Sequence, residues 1–312
     1  MADHAFEKAR AVGHARFPGS TGNADRHDPE AAMTIPDTAA DPEQSKPIAA
    51  ILRYPGSKWS IAGRIINEFT DHYHYVEPYF GSGAVFFSKN PSGHELINDM
   101  NGQVVNLFRT LRDRTDDLAW MLEATPWSRE EYDISDRPTG DGLEDARRFV
   151  VRCWQAHASD LAKKTGWKNR GSIQRAGGMS LRWQRVPRQL REVAWRLQDA
   201  EIENRPALDV IARFATPDTL IYADPPYMHA VRTQRMYAEE MSETDHVDLL
   251  DVLDRHPGTV VLSGYENDLY TERLAKWRRV AITPPKVERR PGERKSFGLR
   301  NRDLRQPGKE TR

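Results

Sequence analysis

Four consecutive residues, Asp224, Pro225, Pro226 and Tyr227, join an acceptor carboxylate to two rings without backbone donors and an aromatic side chain. Proline fixes φ and lacks an N–H, so the carbonyls of Asp224 and Pro225 are held in an extended turn with no ladder or helix to engage them. Acceptors beside an exposed ring suit a flat base that carries an exocyclic amino group. The lone pair of such a nitrogen is delocalised into the ring, and it is a poor nucleophile until acceptors hold both of its N–H bonds. Asp224 and the Pro225 carbonyl can do this while Tyr227 stacks on a base turned out of a duplex. A plainer reading, an N-capping Asp before a Pro-Pro turn, stays open on these four residues alone.

Three other stretches carry chemistry. Arg53-Tyr54-Pro55-Gly56-Ser57-Lys58 is a Pro-Gly-Ser turn with a lysine at its end, ahead of Ile61, Ala62, Ile65, Ile66 and Phe69 at helical spacing. A turn feeding a helix attracts anions through free N–H groups and the helix dipole. The Gly-Lys-Ser/Thr ending of a nucleotide-triphosphate loop is missing, so Lys58 suits a carboxylate at least as well as a phosphate. In Tyr75-Val76-Glu77-Pro78-Tyr79-Phe80-Gly81-Ser82-Gly83, a strand runs into a glycine pair and an apolar helix start, and Leu96-Ile97-Asn98-Asp99 is a second strand ending in an acid. A glycine turn followed at this distance by a carboxylate fits an adenosine-containing ligand, with the acid on the ribose. A tight turn and a capping Asp are the blander alternative.

The elements that must position these residues are legible in outline. Leu220-Ile221-Tyr222-Ala223 is an apolar run suited to a strand buried on both faces of a parallel sheet, and ligands of such sheets sit beyond the carboxyl ends of the strands, where Asp224 falls. Thr259-Val260-Val261-Leu262-Ser263-Gly264-Tyr265 is another buried strand, and Ala207 to Phe214 and Asp245 to His256 have helical periods. Strands and helices alternate on both sides of a basic segment, which predicts an α/β fold, Rossmann-like, interrupted by a mainly helical insert. The expected divisions are a tail over 1–46, a core over 47–112, an insert over 113–204, the second part of the core over 205–285 and a basic tail over 286–312. Met33 lies in the first tail and is a second candidate start of translation.

Composition excludes several classes. The 312 residues are 38% hydrophobic and 29% charged, enough for one sizeable core plus an insert, and no run of about 18 apolar residues or signal pattern is present. A cytoplasmic location is expected. The single cysteine, Cys153, excludes an internal disulfide and is no evidence for metal. Net charge is zero, so a case for nucleic acid rests on where the charges lie. From Val151 to Arg196 eleven Lys or Arg face two acids, with Trp154, Trp167, Trp183 and Trp195 interleaved. Lys163, Lys164, Lys168, Arg170, Arg182 and Arg185 are the candidate DNA contacts from this segment.

Taken together in this order, the Arg53 to Lys58 turn, Glu77 to Gly83, Ile97-Asn98-Asp99, Asp224 to Tyr227 and Leu262-Ser263-Gly264-Tyr265 resemble the adenine-N6-specific DNA methyltransferases of the DNA adenine methylase family, near its phage and prophage members. The resemblance runs from about Leu52 to Arg279. It implies S-adenosylmethionine as methyl donor, bound by Tyr54, Lys58, Glu77, Gly81, Gly83, Asp99 and Asp224, with Asp99 on the ribose hydroxyls. It also implies Asp224, Pro225, Pro226 and Tyr227 as catalytic residues, duplex DNA as substrate, target recognition by the insert, and no metal. A monomer is expected, and a restriction endonuclease as partner is left open. A glutamine-methylating relative would have Asn in place of Asp224, and a nucleoside triphosphatase would need the missing phosphate loop. The family closes with a C-terminal strand bearing an aromatic residue and Asn, which Arg294 to Leu299 do not match. Residues 286–312 are therefore expected to dock loosely or not at all, and a catalytically impaired DNA-binding remnant is the alternative function.

Overall fold

The computed structural model describes residues 48, 50–157, 164–168, 179–228, 240–282 and 297–302. Within them, β1 (His74–Glu77), β2 (His94–Asn98), β3 (Ala200–Glu203), β4 (Thr219–Ala223), β5 (Thr259–Tyr265), β6 (Arg278–Ile282) and β7 (Phe297–Arg302) form one sheet in the order β3-β2-β1-β4-β5-β7-β6. The first five are parallel, and β7 runs antiparallel to both β5 and β6.

Alternate residues of each central strand enter different cores, which is why those strands read as unbroken apolar runs. Tyr75, Leu220, Tyr222 and Val261 join one cluster, and Val76, Ile221, Ala223, Val260 and Leu262 join the other. The first face is covered by α1 (Ala62–Ile66), α2 (Gly102–Asp113), α3 (Thr115–Ala124), α5 (Gly142–Gln155) and α6 (Met179–Leu197), with α4 (Arg129–Ile134) against α5. The second is covered by α7 (Ala207–Arg213), α8 (Glu243–Arg255) and α9 (Asp268–Arg273). Ser242 and Asp245 close a reciprocal capping box at the start of α8, which fixes Asp245 at that end. Among the described residues, no helix is long and apolar enough to cross a membrane.

Three expectations are corrected. The segment over 113–204 is not an insert apart from the sheet. It contains β3, and Phe149, Trp154, Trp183, Val186 and Leu190 of its helices share a core with Tyr75 and Tyr222 of the strands. Residues 297–302 of the expected loose tail form β7, seated between β5 and β6 with Ser263 opposite Leu299. A closing strand is therefore present, and it contains an aromatic residue and an Asn, Phe297 and Asn301, the second of which lies beyond the Arg294 to Leu299 stretch that does not match. The helix expected directly after Gly83 is a single 3₁₀ turn, Phe86–Ser88. The expected tail over 1–46 lies outside the described residues.

Candidate functional site

The strand order reverses between β1 and β4, and a cavity of about 350 Å³ opens there at the carboxyl ends of the strands. Three neighbouring strands deliver a carboxylate to its wall: Glu77 is the last residue of β1, Asp99 follows β2, and Asp224 follows β4. Tyr54, Lys58, Gly81 and Pro226 also line it, whereas Gly83, Pro225, Tyr227 and the Leu262 to Tyr265 motif are not among its lining residues. Glu240 and Asp245 add two carboxylates that no motif signalled.

The loops are built for close approach. Tyr54 to Ser57 form a turn closed by the Ser57 N–H donating to the Tyr54 carbonyl at 3.3 Å, with Gly56 at φ +68°. Ser57 Oγ meets Ser82 Oγ at 2.9 Å, which ties this turn to the glycine loop. Gly81 has φ +52°, and a Cβ on it would lie 3.1 Å from the Tyr54 ring. Gly83 has φ +67°, and a Cβ there would meet the rings of Phe80 and Phe87 at 2.5 Å. Both glycines are needed for packing of the protein against itself, whatever else approaches them. Asp99 holds the same loop, accepting from the Gly81 N–H at 2.7 Å and from the Asn101 N–H at 2.8 Å.

Asp224 is held on both oxygens. Lys58 Nζ donates to Oδ2, and the Tyr227 hydroxyl donates to Oδ1 at 2.9 Å. Lys58 also donates to the Gly56 carbonyl at 2.6 Å and lies over the Tyr227 ring, 5.1 Å from its centroid. Tyr227, expected to offer an exposed ring, is 7% exposed and packs edge-on against Tyr265. Glu77 is 2% exposed and accepts from the Tyr75 hydroxyl at 2.7 Å. Burial pushes the Glu77 carboxyl up to about 8; the Tyr75 hydrogen bond opposes this and the nearby charge of Asp224 adds to it.

Residues 54–283 match the family model for D12 class N6 adenine-specific DNA methyltransferases. The chain belongs to that family. It is similar to the DNA adenine methylases of two Vibrio cholerae serotype O1 strains, ATCC 39541 and ATCC 39315, at 24% identity over 250 residues, covering 75% of this chain and 87% of each relative. It also matches the type II methyltransferase M1.LlaDCHI of Lactococcus lactis subsp. cremoris, at 35% identity over 83 residues, 25% of this chain and 28% of that protein. The chain is thus a DNA adenine methyltransferase with a Rossmann-like fold.

The basic segment of the methyltransferase divides between scaffold and surface. Lys163 and Arg170 lie outside the described residues. Lys164 is spent on the scaffold, donating to the Asp133 carbonyl at 2.7 Å and to Asp136 Oδ1 at 3.0 Å. Lys168 and Arg182 converge on Arg53, a residue the sequence did not mark for DNA. Burial and then Arg182 depress the Arg53 guanidinium, and burial and then Arg53 depress the Lys168 ammonium. Arg182 and Arg185 are exposed on α6. Of the four tryptophans, Trp195 alone is exposed; Trp154 donates to the Ile51 carbonyl, Trp167 to Gln155 Oε1 and Trp183 to the Thr125 carbonyl, all as parts of the scaffold.

Proposed function

We propose that the protein binds S-adenosylmethionine in the cavity at the tips of β1, β2 and β4 and methylates the exocyclic amino group of an adenine turned out of duplex DNA at a specific site. The observation that carries this reading is the set of strand-tip acids, Glu77, Asp99 and Asp224, with Glu240 and Asp245, around a cavity of about 350 Å³ at the sheet's switch point. A donor with a sulfonium and an ammonium group is cationic, and an acidic cavity attracts it. Asp99 is the acceptor for the ribose hydroxyls, and the glycine turn before it lets the backbone approach the ligand.

When bound, the donor supplies a methyl carbon on a positively charged sulfur; the carbon–sulfur bond breaks to leave a neutral thioether as the adenine nitrogen bonds to that carbon and gives up one proton. Asp224 and the Pro225 carbonyl accept from the amino group, so that its lone pair points at the methyl carbon. In-line positioning and these acceptors are the protein's contribution. The N–H proton leaves by way of the Asp224 carboxylate. Tyr227 must turn away from Asp224 and Tyr265 to stack on the target base.

Arg53, Lys168, Arg182 and Arg185 are proposed as contacts to the DNA phosphates, since a cluster of like charges is relieved by an anion. A cytoplasmic location follows from this substrate. The alternative, an impaired remnant, rested on the altered C-terminal sequence, and the pairing of β7 with β5 supports the active reading over it. The test is methyl incorporation from labelled S-adenosylmethionine into duplex DNA. The native protein is expected to label the DNA and Asp224→Ala to abolish labelling; near-normal turnover in that variant would remove Asp224 from the chemistry.

A further inference from the structure

The charges around the cavity are lopsided. Among the described residues that line it, Lys58 is the one cation, against the carboxylates of Asp99, Asp224, Glu240 and Asp245, while burial keeps the proton on the Glu77 carboxyl. That cation is already engaged with Asp224 Oδ2, and Tyr227 holds Asp224 Oδ1. Both oxygens of the proposed acceptor are therefore taken before an adenine arrives. A carboxylate quenched by an ammonium at contact distance is a weaker acceptor for an amino group than a bare one. Simple release of Lys58 would leave Asp224 uncompensated in a cavity that Asp99, Glu240 and Asp245 also line. The proposed donor resolves this conflict, because it brings an α-carboxylate for Lys58 and positive charge for Asp224 in one molecule.

We propose that Lys58 exchanges partners, leaving Asp224 for the donor's α-carboxylate, so that donor binding is the event that frees Asp224 to accept from the target amino group. This inference rests on the reading of the cavity as the donor site. Lys58 acts through Asp224 and is a positioning residue. The exchange imposes an order: the donor must be in place before an adenine is held productively. The exchange also takes the Lys58 ammonium away from the Tyr227 ring, from whose centroid it lies 5.1 Å.

The test is calorimetric binding of two probes to the full chain: S-adenosylhomocysteine, which carries the amino-acid end, and 5′-methylthioadenosine, which lacks it. Asp224→Asn removes the carboxylate that competes for Lys58, so S-adenosylhomocysteine should bind about five-fold tighter or better, with 5′-methylthioadenosine unchanged within about two-fold. Lys58→Gln should bring the affinities of the two probes together, and adding Asp224→Asn to it should gain nothing. Tyr227→Phe leaves the Lys58–Asp224 pair intact and should keep the native preference. Native protein that binds S-adenosylhomocysteine no more weakly than Asp224→Asn does would overturn the exchange and leave the donor site standing. An equal gain for both probes, or a Lys58→Gln protein that keeps its preference for S-adenosylhomocysteine, would also overturn it. Native protein that binds neither probe would overturn the donor site and the exchange with it.

Discussion

Asp99, one residue beyond β2, accepts the backbone N–H of Gly81 at 2.7 Å and so fastens the glycine turn after β1 to the neighbouring strand tip. The residue assigned to the donor's ribose is therefore also part of the frame that shapes the donor's bed. Asp99→Ala should weaken binding of S-adenosylhomocysteine by about 1.5 to 3 kcal/mol for each charge-assisted hydrogen bond removed. It should also release the Gly81 and Asn101 amides, which hydrogen exchange will read as faster exchange at both. Unchanged affinity in calorimetry would take Asp99 off the ribose, and unchanged exchange would deny it the framing role.

Glu77 predicts a pH dependence with a definite sign. Its carboxyl is pushed up to about 8 in the fold by burial, against an ordinary value of 4.5. Between those values the folded chain keeps the proton and the unfolded chain has released it. Stability from this group is thus fully present below about pH 4.5 and is lost as pH rises toward 8, at up to about 1.4 kcal/mol per pH unit. Glu77→Gln should flatten the fall in stability between pH 5 and 8 measured by chemical denaturation. A variant whose pH profile parallels the native one would show that Glu77 is ionised throughout.

The basic cluster of Arg53, Lys168 and Arg182 gives a salt prediction. Replacing Lys168 and Arg182 together by Gln should reduce the slope of log affinity for DNA against log salt by up to about 0.9 for each phosphate no longer neutralised, with S-adenosylhomocysteine binding unchanged. Replacing Lys164 should leave the slope alone, because that side chain is held by Asp133 and Asp136. An unaltered slope in the double variant would make the Arg53, Lys168 and Arg182 cluster a solvated face only.

Strand β7 carries the fourth prediction. It pairs with β5 from Val260 to Tyr265 and with β6 from Arg278 to Ile282. A chain ending at residue 295 should lose both ladders, leave an unpaired edge beside Ser263 and Gly264, and strand β6. A lower melting temperature and a loss of turnover are expected. A truncated protein that melts and turns over like the full chain would mean that β7 contributes nothing to the fold.

The strand tips were legible because a parallel strand buried on both faces is an apolar run, and the residue that breaks the run is the one at the site: Asp99 after Leu96-Ile97-Asn98, Asp224 after Leu220 to Ala223. The roles of the basic segment were less legible, because a cation's partner is chosen in three dimensions. Arg196 counts toward the positive excess of that segment, yet it is buried, stacks on Phe86 and pairs with Glu95, 101 positions earlier. Trp154 and Trp183, interleaved with the basic residues in the sequence, are core residues whose indole N–H groups donate to backbone carbonyls. Lys58 in the sequence suits the carboxylate of a ligand, and its partner within the fold, Asp224, 166 positions away, was not legible in the chain. The closing strand was missed because residues 297–302 mix glycine and arginine into a pattern with no apolar period, while their place in the sheet is fixed by register with β5.

The most direct test of the central claim follows the methyl group itself. The native chain and Asp224→Ala are each incubated with duplex DNA and S-adenosylmethionine carrying a trideuterated methyl group, and the DNA is digested to nucleosides for mass spectrometry. The account predicts trideuterated N6-methyl-2′-deoxyadenosine from the native chain and none from Asp224→Ala. Label found on cytosine, no label from the native chain, or equal labelling by the two proteins would contradict it.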